Sequence, residues 1–176
     1  MKIRIAGGND RDSIEAVHSS AFPESERGLV SRLAVALLSL DSTPQSISLL
    51  AEVDGAVVGH IAFSPVLAEG REHFLGYILA PLGVVPNCQG NAIGTKLVEH
   101  GLTRLSAMAV NRVFVYGDPK YYGRFGFSAD AASLYAPPYE LQYPFGWQAL
   151  ALNGYEPETT PVALSCAKPL QNPELW

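Results

Sequence analysis

Two short stretches carry residues whose types and spacing suit chemistry. The first is Leu82-Gly83-Val84-Val85-Pro86-Asn87-Cys88-Gln89-Gly90-Asn91-Ala92-Ile93-Gly94, where an apolar run gives way to a tight turn and then to a helical pattern. The opening N–H groups of a helix have no partner within it and lie at the positive end of its dipole, so a strand that turns straight into a helix builds a place for an anion. Gly90, Ala92 and Gly94 are small enough for a phosphate to reach the backbone, and a pyrophosphate fits such a turn. The same small residues also let a helix lie close on a sheet, and spacing alone leaves both readings open. Neither common nucleotide motif is there: no G-x-G-x-x-G occurs, and Gly94-Thr95-Lys96 runs out of order for a phosphate loop ending in Gly-Lys-Ser/Thr.

The second stretch, Gly117-Asp118-Pro119-Lys120-Tyr121-Tyr122-Gly123-Arg124-Phe125-Gly126-Phe127, sets two phenols after a turn. A tyrosine hydroxyl can give a proton to a leaving group, and an aromatic pair can equally do no more than pack. Asp118 suits orienting water or an amine, and it suits capping a helix begun by Pro119. His60, on a strand, has the reference pKa of a general base, although a lone strand histidine more often has a structural role. Cys88, Cys166, His18, His60, His73 and His100 show no metal-ligand spacing, so free thiols and no metal are expected.

These stretches need elements to hold them. Lys2–Ala6 reads as a strand, and Asp12-Ser13-Ile14-Glu15 offers a capping box for a helix with Ile14, Val17, Ala21 and Phe22 on one face. After Pro23, Leu29, Leu33, Leu37 and Leu40 mark a second helix. Ser46–Val53 and Ala56–Val66 are strands joined by Asp54-Gly55, a pair suited to a tight hairpin turn. His73–Val85 is extended, with Pro81 denying an N–H to any central ladder. Ile93, Leu97, Val98, Leu102 and Leu105 trace a helical face, and Asn111–Tyr116 follows as a strand. Pro119 starts a short helix that Gly126 stops, and Trp147–Leu152 and Val162–Ala167 are the last strands, separated by a polar loop with Glu156, Pro157 and Pro161. No repeat or linker interrupts the chain, and its 176 residues suit a single domain over 1–176.

Composition limits the partners. The apolar fraction is 48%, which excludes intrinsic disorder, and the net charge is -5, so no overall positive field draws the chain to phosphate backbones or anionic lipid. Neither nucleic acid nor membrane is an expected partner. The longest apolar stretch, Leu33–Leu40, falls far short of the roughly 20 residues of a membrane span, and MKIRIAGGND lacks the apolar core of a secretory signal. A cytoplasmic location is expected.

Val84-Val85-Pro86-Asn87-Cys88-Gln89-Gly90-Asn91-Ala92-Ile93-Gly94 resembles the acetyl-CoA motif Gln/Arg-x-x-Gly-x-Gly/Ala of the GNAT superfamily of N-acetyltransferases, with Gln89 and Gly94 at its ends and Ala92 where the first glycine usually stands. Gly117–Phe127 is similar to the Gly-Asp-Pro-x-Tyr-Tyr-x-Arg-Phe-Gly-Phe signature of the YhbS-like branch, and Leu79–Val84 and Gly59–Val66 resemble further segments of that branch. The resemblance covers nearly the whole chain. It implies an α/β (α+β) fold, a mixed central sheet flanked by helices, with a splayed strand pair holding CoA.

It also implies roles. The backbone of Leu82, Gly83 and Val84 would bond pantetheine, and the N–H groups of Gln89, Gly90, Asn91, Ala92, Ile93, Gly94 and Thr95 would hold the pyrophosphate of acetyl-CoA. Tyr122 takes the place of the family's proton donor to the thiolate, with Tyr121 in reserve and Asp118 orienting water or the amine. The implied reaction is direct acetyl transfer to a primary amine of a small molecule or protein in a ternary complex. The competing reading is a non-catalytic CoA-binding regulatory module. Tyr135–Trp147 either walls the acceptor pocket or completes the core, and the polar tail after Pro169 is a candidate homodimer surface.

Overall fold

The computed structural model describes residues 1–71, 73–154 and 158–176, so Glu156 and Pro157 of the polar loop lie outside the described residues. Its strands form a mixed sheet of eight, and the chain divides into two compact units, Met1–Phe63 with Ala80–Arg104 and Ser64–Leu79 with Leu105–Trp176.

In the first unit β1 (Lys2–Ile5) pairs antiparallel with β2 (Ile47–Val53), and β2 pairs antiparallel with β3 (Ala56–Ala68) through the expected turn, in which Asp54 and Gly55 both have positive φ. α1 (Arg11–Ala21) and α2 (Glu24–Leu38) follow β1. Ile14, Ala34, Val35 and Leu50 join helices and sheet in one buried cluster. Burying such side chains contributes roughly 1.5–3 kcal/mol each, which is why the apolar stripes rather than local propensity decide where the helices lie. The helix start differs from the expected capping box at Asp12. α1 begins at Arg11, and Asp10 occupies the cap position without capping, because its carboxylate accepts from Arg4 (2.7 and 2.8 Å) and from the Gly7 N–H. Leu40 lies beyond the end of α2 rather than on its stripe. β4 (Phe74–Val84) enters this unit at Ala80 and leads through a 3-10 turn at Pro86–Cys88 to α3 (Ile93–Ala107). A Cβ at Gly59 would lie only 3.0–3.1 Å from Leu97 and Ile93, so α3 packs tightly on β3 there.

In the second unit the start of β4 runs parallel to β5 (Arg112–Tyr116), and their register covers Tyr77↔Val113 to Leu79↔Val115. Pro81 stands in the part of β4 that follows, where its missing N–H costs that ladder nothing. β5 also pairs antiparallel with β7 (Trp147–Ala151), and β8 (Val162–Cys166) pairs antiparallel with the end of β3. Between them lie α4 (Pro119–Tyr122), α5 (Ala129–Ala132) and the two-residue strand β6 (Tyr135–Ala136), which runs parallel to β8. α5 and β6 were not legible in the sequence, being too short to show a period. Tyr135 and Trp147 are buried around Phe114, whose ring stacks on Trp147 at 5.6 Å, whereas Tyr143 and Phe145 are exposed. The segment thus divides between core and surface. The tail after Pro169 folds back: Trp176 is buried, stacks on Tyr116 and donates from Nε1 to the Leu170 carbonyl.

Candidate functional site

The strand-turn-helix of the first unit has the geometry its sequence predicts. Val85 N–H donates to the Val58 carbonyl (2.9 Å), which anchors the end of β4 beside β3. The chain then reverses through Pro86–Cys88, with Cys88 N–H bonded to Val85 and Gln89 N–H to Pro86. The Gln89 N–H is therefore occupied, and its contribution comes from the side chain, whose Nε2 donates back to the Val84 carbonyl (2.9 Å) and closes the turn. Gly90 (φ 78°) and Ala92 (φ 58°) are both left-handed. That conformation costs an L-residue about 1–2 kcal/mol, which glycine avoids and Ala92 bears. Left-handed residues in a turn favour a concavity of N–H groups that suits an anion, and the N–H groups of Gly90 to Thr95 have no backbone acceptor among the described residues. The first N–H to be bonded is that of Lys96, to the Ala92 carbonyl (3.0 Å). Leu82, Gly83 and Val84 lie just upstream on β4.

The tyrosine segment belongs to the second unit. Asp118 caps α4: Oδ1 accepts from Lys120 N–H (2.9 Å), and its carbonyl accepts from the N–H groups of Tyr121 and Tyr122 (3.0 Å each). The capping alternative for Asp118 is the geometry observed. Tyr122 lies against Gly117, where a Cβ would fall 2.5 Å from Cε2, so only glycine leaves room for that ring. Edge contacts with Tyr121 (5.0 Å) and Phe127 (5.9 Å) hold it from two other sides. Burial, followed by the neighbouring Tyr121, pushes the Tyr122 phenol well above its ordinary pKa, so it stays protonated throughout the neutral range. Its hydroxyl has no hydrogen-bond partner among the described residues. Arg124 lies over the Tyr121 ring at 4.5 Å and bonds that residue's carbonyl, a packing role.

A third arrangement escaped sequence reasoning. His60 is not alone on its strand: its Nδ1 lies 2.7 Å from Nε2 of His18 on α1, and both rings are fully buried. The signal available was a histidine standing at core positions of two apolar patterns, but only the fold brings them together. Among the described residues no group of three His, Cys, Asp or Glu side chains could hold a metal ion, and no helix is long and apolar enough to cross a membrane. Cys88 is half-buried, and Cys166 is buried with its thiol pushed up to about 12.

Residues 12–127 match the model of the acetyltransferase (GNAT) family. The chain is 34% identical over 169 residues to the uncharacterized N-acetyltransferase YjhQ of Escherichia coli K12, spanning 94% of this chain and 91% of that one. Among solved structures it resembles a GNAT family N-acetyltransferase, YhbS of Escherichia coli, in complex with CoA (TM-score 0.78, 25% identity, 97% and 92% of the two chains). It also resembles a GNAT family acetyltransferase of Brucella melitensis in complex with acetyl-CoA (TM-score 0.69, 31% identity, 96% of each chain).

Proposed function

The chain belongs to the acetyltransferase (GNAT) family, whose general reaction is acyl transfer to an amine, and we propose that it moves the acetyl group of acetyl-CoA directly to a primary amine. The observation that carries this reading is the run of N–H groups from Gly90 to Thr95, around the start of α3, that have no backbone acceptor among the described residues. In it the pyrophosphate sits on those N–H groups, and pantetheine bonds the backbone of Leu82, Gly83 and Val84. The complexes of the two related structures with CoA and acetyl-CoA support the donor.

The amine attacks the thioester carbon, the carbonyl oxygen becomes an oxyanion, and the nitrogen gives its extra proton to water. As the tetrahedral centre collapses the C–S bond breaks, and the thiolate departs as an acceptor of the Tyr122 hydroxyl's hydrogen bond. The raised pKa of that phenol keeps the proton in place, and against a thiol of pKa about 8.5 full transfer is uphill. Tyr122 therefore acts chiefly by hydrogen-bonding charge that develops in the transition state. Tyr121 is the secondary donor, and Asp118 contributes by capping α4 and so presenting both phenols. The whole of 1–176 serves as one acetyltransferase domain, and free Cys88 and Cys166 accord with a cytoplasmic location.

The test is thermal unfolding with and without acetyl-CoA, followed on the same sample by thiol release with butylamine, spermidine and a lysine peptide. Acetyl-CoA at about 100 times its Kd should raise Tm by about 5–10 °C. A shift with amine-dependent thiol release supports the transferase. Absence of a shift at saturating acetyl-CoA removes the donor assignment.

A further inference from the structure

His18 and His60 share one hydrogen bond, with their rings edge to face at 5.0 Å. The remaining nitrogens, His18 Nδ1 and His60 Nε2, are buried with no partner among the described residues. An orphaned buried polar atom costs about 1–3 kcal/mol unless water or another group meets it. Burial depresses the pKa of His18 to about 4, and burial followed by the charge of His18 holds His60 well below its ordinary value. No other charged side chain perturbs either ring. The pair is thus neutral at pH 7 and carries two N–H protons on four nitrogens, one in the bridge and one at an outer end. A proton arriving at one end must displace the one at the other.

The two ends lead to different places. His18 Nδ1 faces Gly83, where a Cβ would lie 2.8 Å away, and Gly83 belongs to the β4 stretch assigned above to pantetheine. At the far end the register pairs His60 with Leu50 and Ala62 with Ser48, so Ser48 lies on the same sheet face as His60, one diagonal step along. Ser46, two residues further, is half-buried, and the hydroxyls of Ser46 and Ser48 are also buried without partners. Diagonal neighbours on a sheet stand about 7–8 Å apart, within reach of an aromatic side chain, and water can link the polar atoms that line such a gap. Unpartnered polar atoms therefore run from beside Gly83 through both rings toward half-buried Ser46, just before β2.

We propose that His18 and His60 form a buried relay that removes the proton of the acceptor ammonium before attack. This deepens the acetyl-transfer reading and rests on it. The ammonium N–H bond breaks and its proton goes to the bare Nδ1 of His18. The bridging proton moves from His18 Nε2 to His60 Nδ1, and the Nε2 proton of His60 leaves by water past Ser48 and Ser46. After product release, water in the emptied site takes the Nδ1 proton of His18, the bridging proton returns from His60 Nδ1 to His18 Nε2, and solvent returns one to His60 Nε2, which restores the starting tautomers.

The double variant His18→Leu/His60→Leu replaces the pair by apolar groups of similar volume and leaves no orphaned nitrogen, so a pair that only packs loses little. The relay predicts an unchanged thermal shift with acetyl-CoA and, with the fastest acceptor of the amine panel, a fall in turnover of about 100-fold or more at pH 7. That loss shrinks as pH rises toward the pKa of the amine, which then arrives already deprotonated. Unchanged turnover, or a loss equal at every pH, overturns the relay. Should the variant not fold, or no amine of the panel react, the imidazole ¹⁵N signals of the native protein decide. Two neutral rings at pH 7, with the His18 Nδ1 signal moving on saturation with acetyl-CoA, support the relay. A stationary signal in protein whose thermal shift proves binding overturns it, and a native protein with no thermal shift overturns the donor assignment instead.

Discussion

The turn at residues 89–95 and the tyrosine segment at residues 117–127 do different work by different means. In the turn the proposed functional atoms are backbone N–H groups, beside the left-handed Gly90 and Ala92 and a turn closed by the Gln89 side chain. In the tyrosine segment the proposed functional atom is one hydroxyl, on a ring carried by a capped helix of four residues and fitted against the bare Cα of Gly117. A backbone device tolerates side-chain change wherever φ is preserved. A single hydroxyl has no substitute, so the segment should be the more brittle of the two in chemistry and the turn in cofactor affinity.

The sharpest way to test that contrast is Tyr122→Phe, which keeps the ring and removes the proton. Turnover should fall ten- to a thousand-fold while the acetyl-CoA thermal shift stays the same. Because the phenol pKa is raised, the native rate should show no loss of this acid until above pH 10, so an alkaline limb below that in kcat against pH would assign it to another group. Gly117→Val comes next. Its side chain drives into the Tyr122 ring, which should lower turnover at least tenfold and cost about 1–3 kcal/mol of stability, again without weakening acetyl-CoA. If turnover survives, the position of the ring does not matter and the role of Tyr122 fails with it.

The turn should break the other way. Gly90→Val puts a β-branched residue at φ 78°, and relief of that strain should raise the Kd for acetyl-CoA about tenfold with turnover at saturation retained. Ala92→Gly, at φ 58°, removes strain and should leave Kd unchanged within a few-fold. Titration calorimetry checks both, and equal effects from the two variants would show that backbone conformation is not what binds. The smallest expected effect is that of Asp118→Ala. Loss of the cap costs about 1 kcal/mol, seen as a lower Tm, with turnover reduced less than tenfold. A fall as deep as that of Tyr122→Phe at unchanged Tm would make Asp118 a chemical participant.

Much of this was legible in the chain because the signals are local. The Asp54-Gly55 hairpin, the stripe of α3, the arrest of the 119–125 helical run at Gly126 and the strand-turn-helix at 82–95 each follow from neighbours within a few residues, where sterics, capping and periodicity act directly. The start of α1 was misread because Asp10 answers to Arg4, on a strand that also binds Glu52. β6 was missed because two residues become a strand only beside β8.

The sequence by itself determined the order of elements, the anion-binding backbone of the turn and the presence of two phenols after Asp118, since each depends on bonds and torsions of contiguous residues. Only the tertiary structure decided that Trp176 folds back to stack on Tyr116, and that His18 and His60, 42 positions apart, share a hydrogen bond. Such pairings depend on which face of a helix the hydrophobic effect presses against which face of a sheet, and no local pattern encodes that choice.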